Sequence, residues 1–241
     1  MARHRQPKGR SIEPSSLFEE ILTLLTRPAI VSKLEIMTDT FRLITLEGEN
    51  LKGISWKPGQ KIEVFLDSHI PNTYTPISWD SLNGVTRLVV HGRAAASREA
   101  IQVSTAKPGE IWHIWGPRQS LDLTELKSPI LFFGDETSIG LAHAVRTTRN
   151  GLREVAFLFE ASSPMESKIV LQKLGIDATT ILKRGETREH IRAIEAAMDR
   201  LVEELAPEQF VLTGEATSIR CLTKLLKGRG IPASKLMVME Q

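Results

Sequence analysis

The sequence predicts an N-terminal antiparallel β-barrel followed by an α/β domain with a doubly wound parallel sheet. Short β-rich runs, separated by turn residues, fill the first half and leave room for few helices. Beyond Ser128-Pro129, apolar strands alternate with amphipathic helices. We therefore expect a basic tail and amphipathic helix over 1–27, a barrel over 28–127 and an α/β domain over 128–241.

Composition indicates an ordinary globular protein with an ample core. The chain has 241 residues, of which 41% are hydrophobic and 25% charged. Its single cysteine, Cys221, excludes an intrachain disulfide framework and a cysteine-rich metal site, and it fits a reducing compartment. The net charge of +2 gives no argument for nucleic acid, and no apolar run approaches the roughly 20 residues that span a bilayer. We expect a cytoplasmic monomer that binds no nucleic acid and does not insert into a membrane.

The first predicted element is a helix that ends near Pro28. Serines after Pro14 can cap its free N–H groups. One face is apolar, formed by Leu17, Phe18, Ile21, Leu22, Leu24 and Leu25.

Six short strands are predicted next, at 29–36, 41–47, 61–66, 73–79, 85–90 and 110–115. They are rich in β-branched and aromatic residues and are bounded by turn residues. Six such strands with few helices predict a closed barrel or a sandwich.

The second half alternates between strands and helices. Strands are predicted at 131–133, 155–159, 179–182, 210–213 and 236–239, and helices at 137–148, 165–174, 187–205 and 217–227. The first strand, Leu131-Phe132-Phe133, is apolar throughout, which is typical of a parallel sheet that is covered on both faces.

Two glycine-containing turns of this sheet are candidate binding segments. Ligands of open parallel sheets bind beyond the carboxyl ends of the strands, where helix N-termini offer free N–H groups. Gly134-Asp135-Glu136-Thr137 follows the first strand and Gly214-Glu215 follows the fourth. For each segment, an ordinary strand-to-helix turn with a capping side chain is as good an interpretation as a binding site. Neither segment is a G-x-G-x-x-G motif. Lys183-Arg184, after the third strand, could bind a nucleotide phosphate, although exposed cations in such places are commonly only solvated.

The barrel half holds two further candidates. Asn72-Thr73-Tyr74-Thr75-Pro76 contains the only tyrosine, which hints at a flat ligand but equally fits a pleated surface. In the segment from His91-Gly92 to Ser97, Ala94, Ala95 and Ala96 would let a pyrophosphate approach the backbone. An alanine-rich helix start is the equal alternative there.

Taken in order, these segments resemble the siderophore-interacting protein family, a branch of the ferredoxin-NADP reductase-like flavoenzymes. The resemblance covers roughly residues 28 to 240. No single motif is specific, but their order is. The matching segments are Pro58-Gly59-Gln60, Tyr74-Thr75-Pro76 with Asp80, His91-Gly92, Ala96-Ser97, Pro108-Gly109 with Gly116-Pro117, Gly134-Asp135-Glu136-Thr137, Arg184-Gly185 and Gly214-Glu215.

The resemblance implies an oxidoreductase that passes electrons from NADPH or NADH through FAD to the iron of a ferric siderophore. Reduction would release the metal as Fe(II), because hard oxygen donors favour Fe(III). No acid–base triad and no resident metal are implied, since the flavin carries the redox chemistry.

The resemblance also implies roles for individual residues. Tyr74 would pack on the flavin ring, with Thr75 near its N5 edge and His91 beside it, and Thr137 would approach the flavin or the nicotinamide. The pyrophosphate would lie on Gly92, Ala96 and Ser97, and the nucleotide on Arg184, Gly214 and Glu215. The full candidate set is Asn72, Tyr74, Thr75, Pro76, His91, Gly92, Ala95, Ala96, Ser97, Gly134, Asp135, Thr137, Arg184, Gly214 and Glu215.

The chain departs from the family pattern on either side of Tyr74-Thr75-Pro76. The family has arginines on either side of Tyr-Thr-Pro, whereas this chain has Asn72 and Ile77. A hydrogen bond to a charged partner is worth about 1.5–3 kcal/mol, so weaker FAD retention is predicted unless Arg93 or Arg98 compensates. Two alternatives follow: a family member that binds flavin or an iron chelate with little turnover, and a flavin-linked electron carrier for another acceptor.

Overall fold

The computed structural model describes residues 24–66, 71–92, 106–119, 121–148, 154–183 and 188–240. It contains a seven-stranded antiparallel sheet followed by a five-stranded parallel sheet with helices, which confirms the predicted fold class. Of the predicted first helix, only residues 24–27 lie within the described residues; Leu24 and Leu25 are exposed, and Arg27 already begins a strand. The division of the chain at residue 127 stays a prediction.

The antiparallel sheet has the spatial order β4-β3-β7-β1-β2-β6-β5. Its strands are β1 (Arg27–Ile36), β2 (Phe41–Glu47), β3 (Lys61–Phe65), β4 (Asn72–Tyr74), β5 (Ser78–Asp80), β6 (Val85–His91) and β7 (Ile111–Arg118). Side chains alternate along β6, where Thr86, Leu88 and Val90 point into the core. The predicted turn at Gly116-Pro117 lies inside β7 instead, opposite an irregular register of β3.

The sheet must curl into a barrel, because its two edge strands are neighbours in the chain. Only Thr75, Pro76 and Ile77 separate β4 from β5, so the chain spans at most about 14 Å there. In a flat sheet of seven strands the edges would be about 29 Å apart. The prediction of one continuous strand over 73–79 was therefore wrong. The strand breaks beside Pro76, which cannot donate to a ladder.

The parallel sheet has the order β10-β9-β8-β11-β12, and this order reverses between β8 and β11. Its elements are β8 (Ile130–Gly134), α1 (Ile139–Thr148), β9 (Val155–Ala161), α2 (Pro164–Lys173), β10 (Ala178–Leu182), α3 (Arg188–Leu205), β11 (Gln209–Gly214), α4 (Ala216–Gly228) and β12 (Leu236–Glu240). Helices α1 and α2 cover one face of this sheet, and α3 and α4 cover the other. This agrees with the prediction that a strand as apolar as β8 is covered on both faces.

The barrel packs directly on the parallel-sheet half. One carboxylate oxygen of Glu166, on α2, accepts hydrogen bonds from the Thr38 hydroxyl (2.7 Å), the Thr40 amide (2.9 Å) and the Thr40 hydroxyl (2.7 Å). The Lys173 ammonium donates to the Met37 carbonyl oxygen at 3.0 Å. Phe41, from the barrel, is fully buried in the core formed with α1 and α2. These contacts fix how the two halves meet at the candidate site.

Within the described parts of the chain, the helices are all too short or too polar to cross a bilayer.

Candidate functional site

A cavity of about 310 Å³ lies where the seam of the barrel meets the first strand-to-helix turn of the parallel sheet. Its lining comes from β3 and β4, from the residues beside β4, from the turn after β8, and from β12. The lining residues are Lys61, Pro71, Asn72, Thr73, Tyr74, Thr75, Thr137 and Met239. The fold thus brings together four residues that the sequence predicted as cofactor-binding: Asn72, Tyr74, Thr75 and Thr137.

Tyr74 presents an aromatic side chain at one wall of this cavity. It pairs with Ile62 in the β3–β4 ladder and packs against the buried core of the barrel. Burial raises the pKa of Tyr74 well above the ordinary value of a phenol. The side chain therefore stays neutral and offers a flat ring.

Asn72 and Lys61 add polar groups to the same lining. The Nδ2 atom of Asn72 is buried and has no hydrogen-bond partner among the residues that the structure describes. An unpaired buried donor costs about 1–3 kcal/mol, so an acceptor atom of a bound ligand would relieve it. Lys61 lies on the adjacent strand β3 and brings a positive charge. This lining suits a ligand with a flat apolar face and acceptor atoms at its edge.

Gly140 allows helix α1 to reach the barrel seam. A Cβ atom at Gly140 would lie 2.1 Å from the carbonyl oxygen of Thr75, which is closer than any real contact of that kind. Thr75 is 8% exposed, so α1 rests on the segment that closes the barrel. The cavity depends on this backbone contact.

The turn after β8 is organised by Asp135. Its carboxylate accepts hydrogen bonds from the Thr137 amide (2.9 Å) and hydroxyl (2.5 Å), which caps the 3₁₀ turn that precedes α1. Gly214 has φ +111°, and a Cβ atom there would lie 2.8 Å from the Asp135 carboxylate. Gly134 is similarly close to the Ser138 side chain. The two predicted glycine turns therefore meet at the carboxyl edge of the sheet.

Glu136, in the same turn, is tied to the end of β9. Its carboxylate accepts hydrogen bonds from the Ser162 amide (2.6 Å) and hydroxyl (2.5 Å). Burial by itself raises the pKa of Glu136, but these two hydrogen bonds outweigh it, and the pKa lies below its ordinary value. Glu136 is thus an anion at this edge.

His91 and Gly92 lie at the end of β6, next to both halves. The His91 ring packs against Phe41 with 4.6 Å between ring centroids, and the Gly92 amide donates to the Thr40 carbonyl oxygen at 2.7 Å. The charge of His91 contributes to lowering the pKa values of Glu136 and Glu166. The predicted cofactor-binding residues Ala95, Ala96 and Ser97 lie outside the described residues.

A second cluster lies at the carboxyl ends of the parallel strands, around Lys183. Its ammonium group forms an ion pair with Glu215 and lies 3.6 Å from Glu160. Burial lowers the pKa of Lys183, but the carboxylates of Glu215, Glu160 and Asp135 together outweigh it, so the pKa lies above its ordinary value. Lys183 is therefore a charged, paired residue whose side chain is only 16% exposed, not a solvated surface lysine.

Glu160 is fully buried and is hydrogen-bonded to His190. The Nδ1 atom of His190 is 3.0 Å from the Leu182 carbonyl oxygen and must donate to it, while Nε2 is 2.7 Å from the Glu160 carboxylate. The Ser218 hydroxyl donates to the same oxygen at 2.8 Å.

The structure thus places the predicted residues in two adjacent groups, joined by the turn at Asp135. Asn72, Tyr74 and Thr75 line the cavity with Thr137, and Gly134, Asp135, Gly214 and Glu215 lie at the carboxyl edge. Pro76 is buried beside Thr75 but is not part of the cavity lining. Arg184 lies outside the described residues.

Sequence reasoning missed several residues of these groups. Lys61 follows the Pro58-Gly59-Gln60 turn directly, and Gly140 is a glycine inside a predicted helix, which commonly marks a close approach. Glu160 is a carboxylate in an otherwise apolar strand, which required a buried partner. Nothing in the sequence indicated that Met239 or His190 would contribute.

Comparisons with known proteins show the fold. No protein-family model matches the chain, and no curated protein matches its sequence. Among solved structures, a siderophore utilization protein from T. fusca superposes with a TM-score of 0.68 at 17% identity, over 89% of this chain and 91% of that one. The siderophore-interacting protein from Acinetobacter baumannii has a TM-score of 0.71 at 14% identity, over 89% of both chains.

Reductases of other kinds share the same architecture. The cytochrome b5 reductase domain of Ulva prolifera nitrate reductase has a TM-score of 0.67 at 12% identity, over 89% of this chain and 97% of that one. The chain therefore has the two-part fold common to siderophore-interacting proteins and ferredoxin reductase-like proteins.

Proposed function

We propose that this protein is a FAD-dependent oxidoreductase that passes electrons from NAD(P)H to the iron of a ferric siderophore and releases Fe(II). The observation that carries the proposal is the cavity in which Asn72, Tyr74 and Thr75 of the barrel seam face Thr137 of the parallel-sheet half. The shared fold supports it, since solved structures of siderophore-interacting proteins have the same two parts.

The residues of the cavity fit a flavin ring system. The volume of about 310 Å³ lies within the range of roughly 300–1,000 Å³ typical of small-ligand clefts. Tyr74 supplies a neutral aromatic surface, and the buried, unpaired Nδ2 atom of Asn72 supplies a donor for an acceptor on the ring edge. Bound flavin supplies the redox chemistry, accepting a hydride from the nicotinamide and returning electrons to iron.

The chain's own residues would hold and orient the reactants. Tyr74 would bind one edge or face of the flavin, Thr75 and Asn72 would donate hydrogen bonds, and Met239 would add an apolar side chain to the lining. Lys61 would add positive charge next to the ring. The assignment of the pyrophosphate to Gly92, Ala96 and Ser97 remains a prediction.

The nicotinamide nucleotide would lie across the carboxyl edge, where the strand order reverses between β8 and β11. The absence of a Cβ atom at Gly134 and Gly214 lets the Ser138 and Asp135 side chains pack against the backbone there, which keeps the turns at this edge compact. Glu215 and the predicted Arg184 would line this part of the site. Titration of the protein with NADPH and with NADH would show which of the two nucleotides it prefers.

The siderophore would approach the flavin from the cavity opening. Ferric chelates are often anionic, so the Lys61 ammonium would favour them electrostatically. Reduction to Fe(II) would then weaken the hold of hard oxygen donors on the metal.

The decisive experiment is a titration of the purified protein with FAD, followed by anaerobic NADPH or NADH and then by a ferric siderophore. We expect a flavin absorbance spectrum, bleaching by a nicotinamide and recovery on addition of the ferric chelate. Asn72→Ala should weaken FAD binding, whereas Asn83→Ala, an exposed position that bonds to Asp80, should not. A protein that binds no FAD refutes the proposal, and one that binds FAD without being reduced favours a binding protein.

A second candidate is a flavin-linked reductase for another acceptor. The similarity to a ferredoxin reductase of a carbazole dioxygenase, with a TM-score of 0.65 at 14% identity, is comparable to that of the siderophore-interacting proteins. Rates of reduction of ferric siderophore, quinone and ferredoxin, measured side by side, separate the two candidates.

A further inference from the structure

The ion pair between Lys183 and Glu215 bridges the carboxyl edge of the parallel sheet. Lys183 follows β10 and Glu215 follows β11, and the strands β9 and β8 lie between them. Three strand spacings separate their backbones by about 14 Å, so the two side chains meet above the ends of β8 and β9. The order of strands reverses next to this place, between β8 and β11.

The bridge is held on one side by buried groups. Glu160 lies 3.6 Å from the Lys183 ammonium and is fully buried, where His190 and Ser218 bond to it. Glu215 is the more exposed partner, with 36% of its side chain accessible, against 16% for Lys183. Of the two carboxylates around Lys183, Glu215 is therefore the one that can leave.

We propose that Glu215 competes with a nucleotide phosphate for Lys183. Nucleotide binding would exchange the Lys183–Glu215 ion pair for a contact between Lys183 and a phosphate, while Glu160 stays in place as a buried anchor. This inference rests on the proposed function, because it concerns the site for the nicotinamide nucleotide.

The charges at this edge explain why the exchange is needed. Glu160 is hydrogen-bonded to His190, and the charge of Lys183 is paired with that of Glu215. Asp135 lies near enough to Lys183 to affect it electrostatically and adds a further negative charge. Among the described residues of this edge, a phosphate that approached the intact bridge would meet Glu215, Asp135 and an already paired Lys183, which is unfavourable in a partly desolvated crevice. When Glu215 moves away, the Lys183 ammonium becomes available to the phosphate.

The test measures the Kd of ADP and of 2′,5′-ADP by calorimetry on the protein saturated with FAD. Glu215→Gln keeps the shape of the side chain and removes its charge, and we expect it to lower the Kd by about three- to tenfold. Lys183→Met should raise the Kd by about tenfold. Glu208→Gln, an exposed carboxylate at the amino end of β11, is the matched control and should change nothing.

A double-mutant cycle separates competition from general repulsion. If Glu215 acts through Lys183, Glu215→Gln should have little effect on the Kd in the Lys183→Met background. Equal tightening in both backgrounds, or no change in the wild-type background, overturns the inference. A larger effect with 2′,5′-ADP than with ADP would identify the 2′-phosphate as the competitor, and equal effects would identify the 5′-phosphate groups.

Failure of the proposed function would appear separately. It would be seen as a protein that binds no FAD, or whose flavin neither nicotinamide reduces, whereas the Kd values of ADP and 2′,5′-ADP require no reduction of the flavin.

Discussion

Gly140→Ala should loosen the contact between α1 and the barrel seam. The added Cβ atom would lie 2.1 Å from the carbonyl oxygen of Thr75 and 3.1 Å from its carbonyl carbon. The obstacle is backbone, which cannot rotate away as a long side chain could. Either α1 or the Thr75 segment must therefore move, and Thr75 lines the candidate flavin cavity.

The expected loss of stability is the difference between two opposing effects. Alanine is favoured over glycine inside a helix by about 0.8–1 kcal/mol. Overpacking of a filled interior typically costs about 1–3 kcal/mol and occasionally more, and a clash with backbone belongs at the upper end. We expect a net destabilisation of about 1–2 kcal/mol, equivalent to a fall in Tm of roughly 2–8 °C for a chain of this size.

Gly228→Ala provides the matched control. Gly228 is the last residue of α4, and a Cβ atom there would contact nothing within 4 Å. This substitution should leave stability unchanged or raise it by up to about 1 kcal/mol. Thermal denaturation followed by circular dichroism, together with FAD titration, should be run on both variants. If Gly140→Ala is as stable as Gly228→Ala and binds FAD as the wild type does, the inferred contact between α1 and the seam is wrong.

Three further predictions concern charged and polar groups. Asn72→Arg should tighten FAD binding by about tenfold or more, because a charged donor adds about 1.5–3 kcal/mol; an unchanged Kd in a fluorescence titration would show that another cation already serves the phosphates. Hydrogen bonds from the side chains of Thr38 and Thr40 hold the pKa of Glu166 below its ordinary value of 4.5. The ionised carboxylate of Glu166 therefore stabilises the fold above pH 4.5, and this contribution is lost as the pH falls through the pKa of the folded state. Glu166→Gln should therefore lower stability in urea titrations at pH 7, and its difference from the wild type should shrink as the pH is lowered below 4.5; a difference that stays constant with pH would contradict this. Glu160→Ala should cost about 3–5 kcal/mol in urea denaturation, because it leaves buried partners unpaired, and a loss below about 1 kcal/mol would argue against the buried network.

Secondary structure was predictable because its signals are local. The strands around Phe132 and Phe157 are continuous apolar runs, and the helices keep apolar residues at helical spacing, so their positions agree with the structure to within a few residues. The one strand predicted as continuous broke beside Pro76, where the chain crosses the barrel seam. Pro76 was a local signal for this break. The barrel seam, however, is set by the arrangement of all seven strands.

The candidate site was predictable in part. Tyr74, Thr75 and Thr137 were chosen from separate turn and strand motifs, and they line one cavity. Lys61 and Met239 join them only because β3 lies beside β4 and β12 reaches the same cavity. Which side chains share a lining follows from strand order, and a motif does not contain that information.

The sequence by itself determined the kinds of element, their order along the chain and the glycine turns at the ends of the apolar strands, since hydrophobic period and turn chemistry act within a few residues. Tertiary structure alone decided the contacts between residues far apart in the chain. Gly140 meets Thr75 and Lys183 meets Glu215 because closure of the barrel and the right order of parallel strands bring their backbones together. Such pairings depend on the packing of complete sheets and helices, where burial of apolar surface from many elements selects one arrangement.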